Sequence, residues 1–225
     1  MIIVTGASKG LGKAISERLL DSGNKVIGIA RNTSDLNFNS YDCDVSDFEK
    51  LKDLSKKLSK EGIKIKGLIN AAGIAAMNLA LTTPFKTTKK IIETNLLGTI
   101  YTTQAFFPLL IRNKGGSIIN FSTIAVNLGL KGESIYVASK SGVEGFSRSF
   151  AREAADFNVL VNCIAPGPID TDLIKGISSK QLDKIIQQQI IAKMHQHNDV
   201  CDLVELLLDQ KSKSITGEVI NVGGA

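Results

Sequence analysis

The chain has few of the residues that staple small or extracellular domains. Only three of its 225 residues are cysteine: Cys43, Cys163 and Cys201. No two form a Cys-x-x-Cys pair and the number is odd, so neither a zinc site nor a disulfide framework is expected. Cys43 and Cys163 fall in strand-like stretches and read as small core hydrophobes. A reducing cytosol is the compartment this implies. No apolar run is long enough to cross a bilayer, so no membrane partner is expected. Ile2-Ile3-Val4 already reads as strand and Gly6 as loop, so no signal peptide is expected. Linkers, repeats and low-complexity stretches are lacking too, which leaves a domain boundary nowhere to fall and makes residues 1–225 one domain. Aromatics make up only 5 % of the chain. They are not interleaved with the lysines that carry much of the +5 net charge between Lys50 and Lys66. Those lysines surround a helical stretch with Phe48, Leu51, Leu54 and Leu58 on its inner face. They read as a solvated basic face, and no nucleic-acid partner is expected. The two histidines, His195 and His197, have no acidic partner at metal-ligand spacing. They are expected at the surface, and no metal is expected.

What the chain does contain is alternation. Strand-like runs at 2–5, 25–30, 40–43, 67–70, 117–121, 160–164 and 218–221 are separated by helical periods at 10–22, 47–60, 88–112, 134–157, 178–193 and 199–209. This is the pattern of an α/β fold: a doubly wound parallel sheet of about seven strands with helices on both faces. Pro108 is expected to bend the end of the long fourth-strand helix, since proline lacks a backbone donor. In such sheets ligands bind at the carboxyl ends of the strands, where strand order reverses.

Two motifs lie at those ends. Thr5-Gly6-Ala7-Ser8-Lys9-Gly10-Leu11-Gly12 joins the first strand to the first helix. Gly6 permits a tight turn, and Gly10 and Gly12 allow a cofactor close to the backbone, with its pyrophosphate at the positive helix end. Tyr136 and Lys140 are four residues apart in a helical period, so a phenol and an ammonium share one face. An opposite charge nearby favours a phenolate, whose unperturbed pKa is about 10. The end of the second strand is Ala30-Arg31, with no carboxylate for a ribose 2′-hydroxyl. A guanidinium there can pair with a 2′-phosphate, and Lys9 adds a second positive charge, so NADP(H) is expected over NAD(H).

The threonine-led Gly-x-x-x-Gly-x-Gly spacing resembles the short-chain dehydrogenase/reductase family, and the resemblance runs through the whole chain. Asn70-Ala71-Ala72-Gly73 is similar to the family's segment after the fourth strand, which supports the sheet and borders the adenosine. Asn95 lies where the family has its helix-embedded active-site asparagine, which helps hold a water that relays protons to the lysine. Tyr136-Val-Ala-Ser-Lys140 matches the catalytic Tyr-x-x-x-Lys. Pro166-Gly167-Pro168-Ile169-Asp170-Thr171 resembles the segment that closes over the nicotinamide, and residues 215–224 the last strand. Asp44 and Val45 resemble the pair that receives the adenine. The resemblance implies that Tyr136 exchanges a proton with a carbonyl or alcohol oxygen while hydride moves to or from the cofactor, and that Lys140 also holds the nicotinamide ribose.

Three departures stand out. The family usually has a serine thirteen residues before the tyrosine, and here Thr123 stands there, with Ser122 before it. Threonine offers the same hydroxyl, and strand alternation turns Ser122 to the opposite face, so Thr123 is the expected third catalytic group. Residues 32–39 have neither the length nor the period of the helix the family places there, so an irregular connection is expected. The chain stops at Gly223-Gly224-Ala225, which leaves dimer and tetramer both open through the helices around 88–112 and 134–157. A substrate lid is expected at about 172–197. It starts with the apolar Leu173, Ile174 and Ile177, and has Lys175 and Lys180 available to a carrier protein. The implied activity is carbonyl/secondary-alcohol interconversion, with 3-oxoacyl-carrier-protein reductase as its most specific form. The second reading is a cofactor-binding regulator with little turnover. Phe106, Phe107, Phe146 and Phe150 read as core and interface packing.

Overall fold

In the computed structural model, which describes residues 1–171, 174 and 178–225, with the Gln210 side chain excepted, the chain order is regular. It runs β1 (Ile2–Thr5), α1 (Gly10–Asp21), β2 (Val26–Ala30), β3 (Ser40–Asp42), α2 (Phe48–Lys60), β4 (Gly67–Asn70) and α3 (Phe85–Ile92). It continues through α4 (Gly98–Arg112), β5 (Gly116–Phe121), α5 (Ala125–Leu128), α6 (Ser134–Ala155), β6 (Val159–Pro166), α7 (Ser179–Gln187), α8 (His197–Leu208) and β7 (Val219–Val222). The seven strands form one sheet, all parallel, in the order β3-β2-β1-β4-β5-β6-β7. The order reverses between β1 and β4, as the alternation of strands and helices predicts.

Every residue of β1, β2 and β4 is buried. A strand with no solvent face needs cover on both sides, and the crossover helices supply it. Side chains alternate across the sheet, so register decides which helices they meet. Ile3 pairs with Ile27 and Leu68, and Leu68 with Ile118. That row packs against Leu51, Leu54 and Leu58 of α2, Phe106 and Leu110 of α4 and Ala151 of α6. Val4, Ile69 and Ile119 form the neighbouring row, facing the other way onto Ile15 and Leu19 of α1 and Val200, Val204 and Leu207 of α8.

The connection between β2 and β3 contains no helix, as its composition predicts. Asp42 fixes it by accepting from the Thr33 backbone N–H at 2.8 Å and the Thr33 hydroxyl at 2.7 Å. Leu36 and Phe38 press onto Gly28 of β2, where a Cβ would stand 2.9 Å from the Phe38 ring. Two apolar side chains thus cover the area for which a helix would otherwise be needed.

The long helix differs from expectation. It starts at Phe85 and is broken into α3 and α4 by a π-turn, Glu93–Leu97, with Pro108 inside α4. The expected helix at 178–193 ends at Gln187, and the next begins at His197.

Candidate active site

A cleft of about 450 Å³ opens along the carboxyl ends of the strands. Its nucleotide half is built on glycine. Gly6 has φ +68°, and a Cβ there would lie 2.9 Å from the Ala72 backbone. A Cβ on Gly12 would overlap the Gly6 carbonyl, so α1 reaches the loop as closely as it does only without one. Thr5 stands behind the loop, its hydroxyl accepting from the Ala72 N–H at 3.1 Å. Gly6, Ser8, Lys9, Gly10, Leu11 and Gly12 all face the cleft, as do Ala71 and Gly73 from the end of β4. Arg31, Asp44 and Val45 also line it. Burial works against the Asp44 charge, but hydrogen bonds from Ser46, with Arg31 and Lys90 nearby, outweigh it and hold the carboxyl below its usual range. These backbone-lined walls, with the cations Lys9 and Arg31 beside them, fit a dinucleotide.

Asn70 is a correction. It does not line the cleft; its side chain turns into the core, donating to Asn120 at 2.8 Å and accepting from Thr102 at 2.6 Å. Asn120 in turn donates to Ser147, so an amide ladder ties β4 and β5 to α4 and α6. A buried amide needs partners, and the sheet interior provides them where the cleft would not.

The other half of the cleft gathers Thr123, Tyr136 and Lys140. Tyr136 and Lys140 lie on α6, with the Lys140 ammonium 5.9 Å from the centre of the Tyr136 ring. That ammonium is buried and donates to the Phe121 carbonyl at 2.8 Å. Thr123 follows β5 and lines the cleft with Tyr136, its hydroxyl accepting from the Ala125 N–H at 3.2 Å. The Ser122 hydroxyl donates instead to buried Glu144 at 2.7 Å, whose other oxygen meets Arg148.

Asn95 lies in the π-turn and is fully buried. Its amide accepts from the Ile74 N–H at 2.8 Å and donates to the Ile74 carbonyl at 2.9 Å and to the Ser139 hydroxyl at 3.0 Å. Ser139 in turn donates to the Tyr136 carbonyl. Asn95 therefore fastens the cleft wall beyond Gly73 to the helix that carries Tyr136.

The charges correct a second expectation. Burial raises the Tyr136 pKa, the Glu133 carboxylate raises it further, and the nearby Thr123 hydroxyl lowers it by less. Burial also pushes the Lys140 pKa down to about 8, and its ammonium is held by the Phe121 carbonyl. The phenol thus holds its proton at neutral pH. Glu133 lines the same wall, and burial raises its pKa too. Glu133 belongs to no motif in the sequence; its one signal there is its place three residues before Tyr136, where it is the N-cap of α6.

Pro166, Gly167, Ile169 and Thr171 close the cleft from β6. Of the expected lid, Ile174, Leu182 and Ile185 face the cleft and make that side apolar. Leu173, Lys175 and Ile177 lie outside the described residues; Lys180 is exposed on α7. His195 is a third correction. It is buried, 2 % exposed, and Asp199 is its acidic partner four residues on.

The model of the short chain dehydrogenase family matches residues 1–182. The 3-oxoacyl-[acyl-carrier-protein] reductase of Vibrio cholerae is 32 % identical, over 99 % of this chain and 95 % of that protein. The Staphylococcus aureus enzyme of the same name is 31 % identical, over 99 % and 96 %. Among solved structures, the aldohexose dehydrogenase of Thermoplasma acidophilum superposes with a TM-score of 0.89 at 30 % identity, covering 99 % of this chain and 92 % of that one. A 4-hydroxyisoleucine dehydrogenase complexed with NADH gives 0.88 at 27 % identity, covering 99 % and 96 %.

Proposed function

The chain belongs to the short-chain dehydrogenase family, and from that premise we propose that it uses NADP(H) to interconvert a carbonyl and a secondary alcohol. The carrying observation is that Thr123, Tyr136 and Lys140 gather on one cleft that begins at a glycine-lined dinucleotide cradle. When bound, the nicotinamide supplies the hydride. Tyr136 gives its proton to the carbonyl oxygen. The Thr123 hydroxyl holds that oxygen in place. Lys140 presents the one buried ammonium among the described residues beside the phenol. Gly6, Gly10 and Gly12 keep the cradle open, and Asn95 holds its wall to α6. This cluster speaks against a regulator without turnover.

Arg31 supports NADP(H) over NAD(H), since the end of β2 offers a guanidinium and no carboxylate. The unaltered protein is expected to bind NADPH more tightly than NADH by fluorescence titration. Arg31→Ala should weaken NADPH by about 10- to 100-fold, the weight of a charge-assisted contact, and leave NADH nearly unchanged. Equal or tighter NADH binding in the unaltered protein overturns the assignment.

The substrate side is walled by Ile124, Leu130, Ile174, Leu182 and Ile185, with Glu133 as its carboxylate. Such a wall disfavours a negative charge beside the carbonyl and accepts an acyl chain. A 3-oxoacyl thioester meets both conditions, and the reductase relatives carry that substrate in their name. Thr123→Val is expected to cost at least about tenfold more turnover than Ser122→Ala, because Thr123 lines the cleft with Tyr136 while the Ser122 hydroxyl is already committed to Glu144. The reverse ordering would move the third catalytic group to Ser122.

A dimer or tetramer through α4 and α6 is part of the proposal. Phe107 packs edge-on against Phe150 at 4.9 Å and Phe146 stacks on Phe150 at 5.3 Å, forming an aromatic ridge across these two helices.

A further inference from the structure

Thr123 stands where the sheet gives out. The last residue of β4 to pair with β5 is Asn70, opposite Asn120. Beyond that point β5 keeps a neighbour on one side only, β6. The Ser122 N–H donates to the Ile164 carbonyl at 2.8 Å, and the Ile124 N–H to the Pro166 carbonyl at 3.1 Å. A segment held along one side can still tilt about that side. The place of the Thr123 hydroxyl in the cleft therefore needs a second hold.

That hold comes from α6. Tyr136, Lys140 and Glu144 follow one another at intervals of four along the helix, so they share a face. Lys140 and Glu144 are both buried. The Lys140 ammonium donates to the Phe121 carbonyl at 2.8 Å, and Glu144 Oε1 accepts from the Ser122 hydroxyl at 2.7 Å. Two successive turns of α6 thus grip two successive residues, and the next residue is Thr123. Ser122 is buried as well, so water does not compete for its hydroxyl. The other Glu144 oxygen meets Arg148 at 3.3 Å, which sets the carboxylate from both ends. Glu144 lies behind the cleft and is not part of its lining.

We propose that Glu144 is a positioning residue that acts through Ser122 to fix where the end of β5 presents the Thr123 hydroxyl relative to Tyr136. The helix that carries the phenol carries this carboxylate two turns further on, so one rigid element places both reacting groups. Packing alone would not put a carboxylate here. A buried charge is costly, and an apolar side chain of similar size fills such a site at least as stably, so what Glu144 contributes is direction. Direction matters at a reacting centre, where a displacement of about 1 Å can cost about 10²-fold in rate. The effect on turnover rests on the oxidoreductase reading; the placement of Thr123 does not.

Two measurements test this: turnover of a 3-oxoacyl thioester with NADPH, and the methyl resonance of Thr123 in protein labelled at threonine. Glu144→Leu should lower kcat about tenfold and leave the dissociation constant for NADPH within about twofold. Glu144→Gln keeps an oxygen for Ser122 to donate to, and should hold kcat within about threefold of the unaltered protein. In a Thr123→Val background, Glu144→Leu should cost less than about twofold more, because the group it positions is already gone. A merely structural role would lower turnover by the same factor in both backgrounds. The Thr123 methyl resonance should move in Glu144→Leu and stay in place in Glu144→Gln. Equal losses in the two backgrounds, an unchanged kcat or an unmoved resonance in Glu144→Leu overturns the proposal. If Glu144→Leu fails to fold, Ser122→Ala removes the same bond from its other end, and its smaller loss of turnover must likewise vanish in the Thr123→Val background. If the unaltered protein turns over no carbonyl, the oxidoreductase reading fails, and the methyl resonance alone judges the placement.

Discussion

Tyr136→Phe is expected to lower carbonyl reduction by about 10²- to 10⁴-fold, the usual weight of a placed general acid. The dissociation constant for NADPH should stay within about twofold, because the phenyl ring keeps its place on α6 and only the hydroxyl is lost. The measurement is NADPH absorbance loss over a carbonyl panel headed by a 3-oxoacyl thioester. The structure sharpens the expectation in one respect. Burial and the nearby Glu133 carboxylate raise the Tyr136 pKa, so the group is a proton donor throughout the neutral range. A variant that retained most of its turnover would place the acid elsewhere. Glu133, whose pKa burial also raises, is the group that would then be examined.

Lys140→Met should separate activity from stability. Turnover is expected to fall by about 10²-fold or more, as when a preorganised charge is removed from a reacting centre. The fold should become more stable. The buried ammonium is driven from 10.5 to about 8, a cost of about 3 kcal/mol to the folded state. Removing it leaves the Phe121 carbonyl without its donor, which takes back about 1–3 kcal/mol. The net gain at neutral pH is about 1 kcal/mol by denaturant unfolding. The pH dependence follows from the direction of the shift. Between pH 8 and 10.5 the unfolded chain binds this proton more tightly than the folded one, so stability from this group rises with pH there. The burden is therefore fully present below about pH 8, and the gain from Lys140→Met should shrink as pH rises towards 10.5. A Met variant less stable than its parent at pH 7 would mean that the ammonium is satisfied by more than the Phe121 carbonyl.

Much of this architecture is legible in the sequence because its signals are local. The glycine spacing from Gly6 to Gly12 marks a turn and a close approach that both occur, and apolar runs of four to six residues mark strands buried on both faces. Residues 32–39 reveal a missing helix by lacking a helical period, although nothing in them announces that Leu36 and Phe38 cover Gly28 instead. The site is legible down to the side chains that a helix or strand aims on its own. Tyr136 and Lys140 share a face through helical spacing, and just past β5 the Ser122 hydroxyl turns to Glu144 while Thr123 lines the cleft with Tyr136. What fails is anything decided by distant partners. Asn70 is placed correctly along the chain, but its amide is claimed by Asn120 and Thr102. His195 is polar and late in the chain, and only the folding back of Gln189 and the start of α8 at His197 bury it. The Tyr136 pKa depends on a balance of burial and charge that no spacing encodes.

The π-turn at Glu93–Leu97 has a consequence for how this chain can change over descent. It winds one residue more into the helix than α geometry requires, so α3 and α4 follow one another out of phase by a single position. Asn95 sits at the slip, facing Ile74. Deleting one residue there would heal the helix and rotate the amide away from the wall it holds. Many sequences can satisfy the packing of this segment, but only one length keeps the slip. Selection on this stretch should therefore tolerate substitutions more readily than insertions or deletions, and in this segment the number of residues carries more of the inheritance than most of their identities.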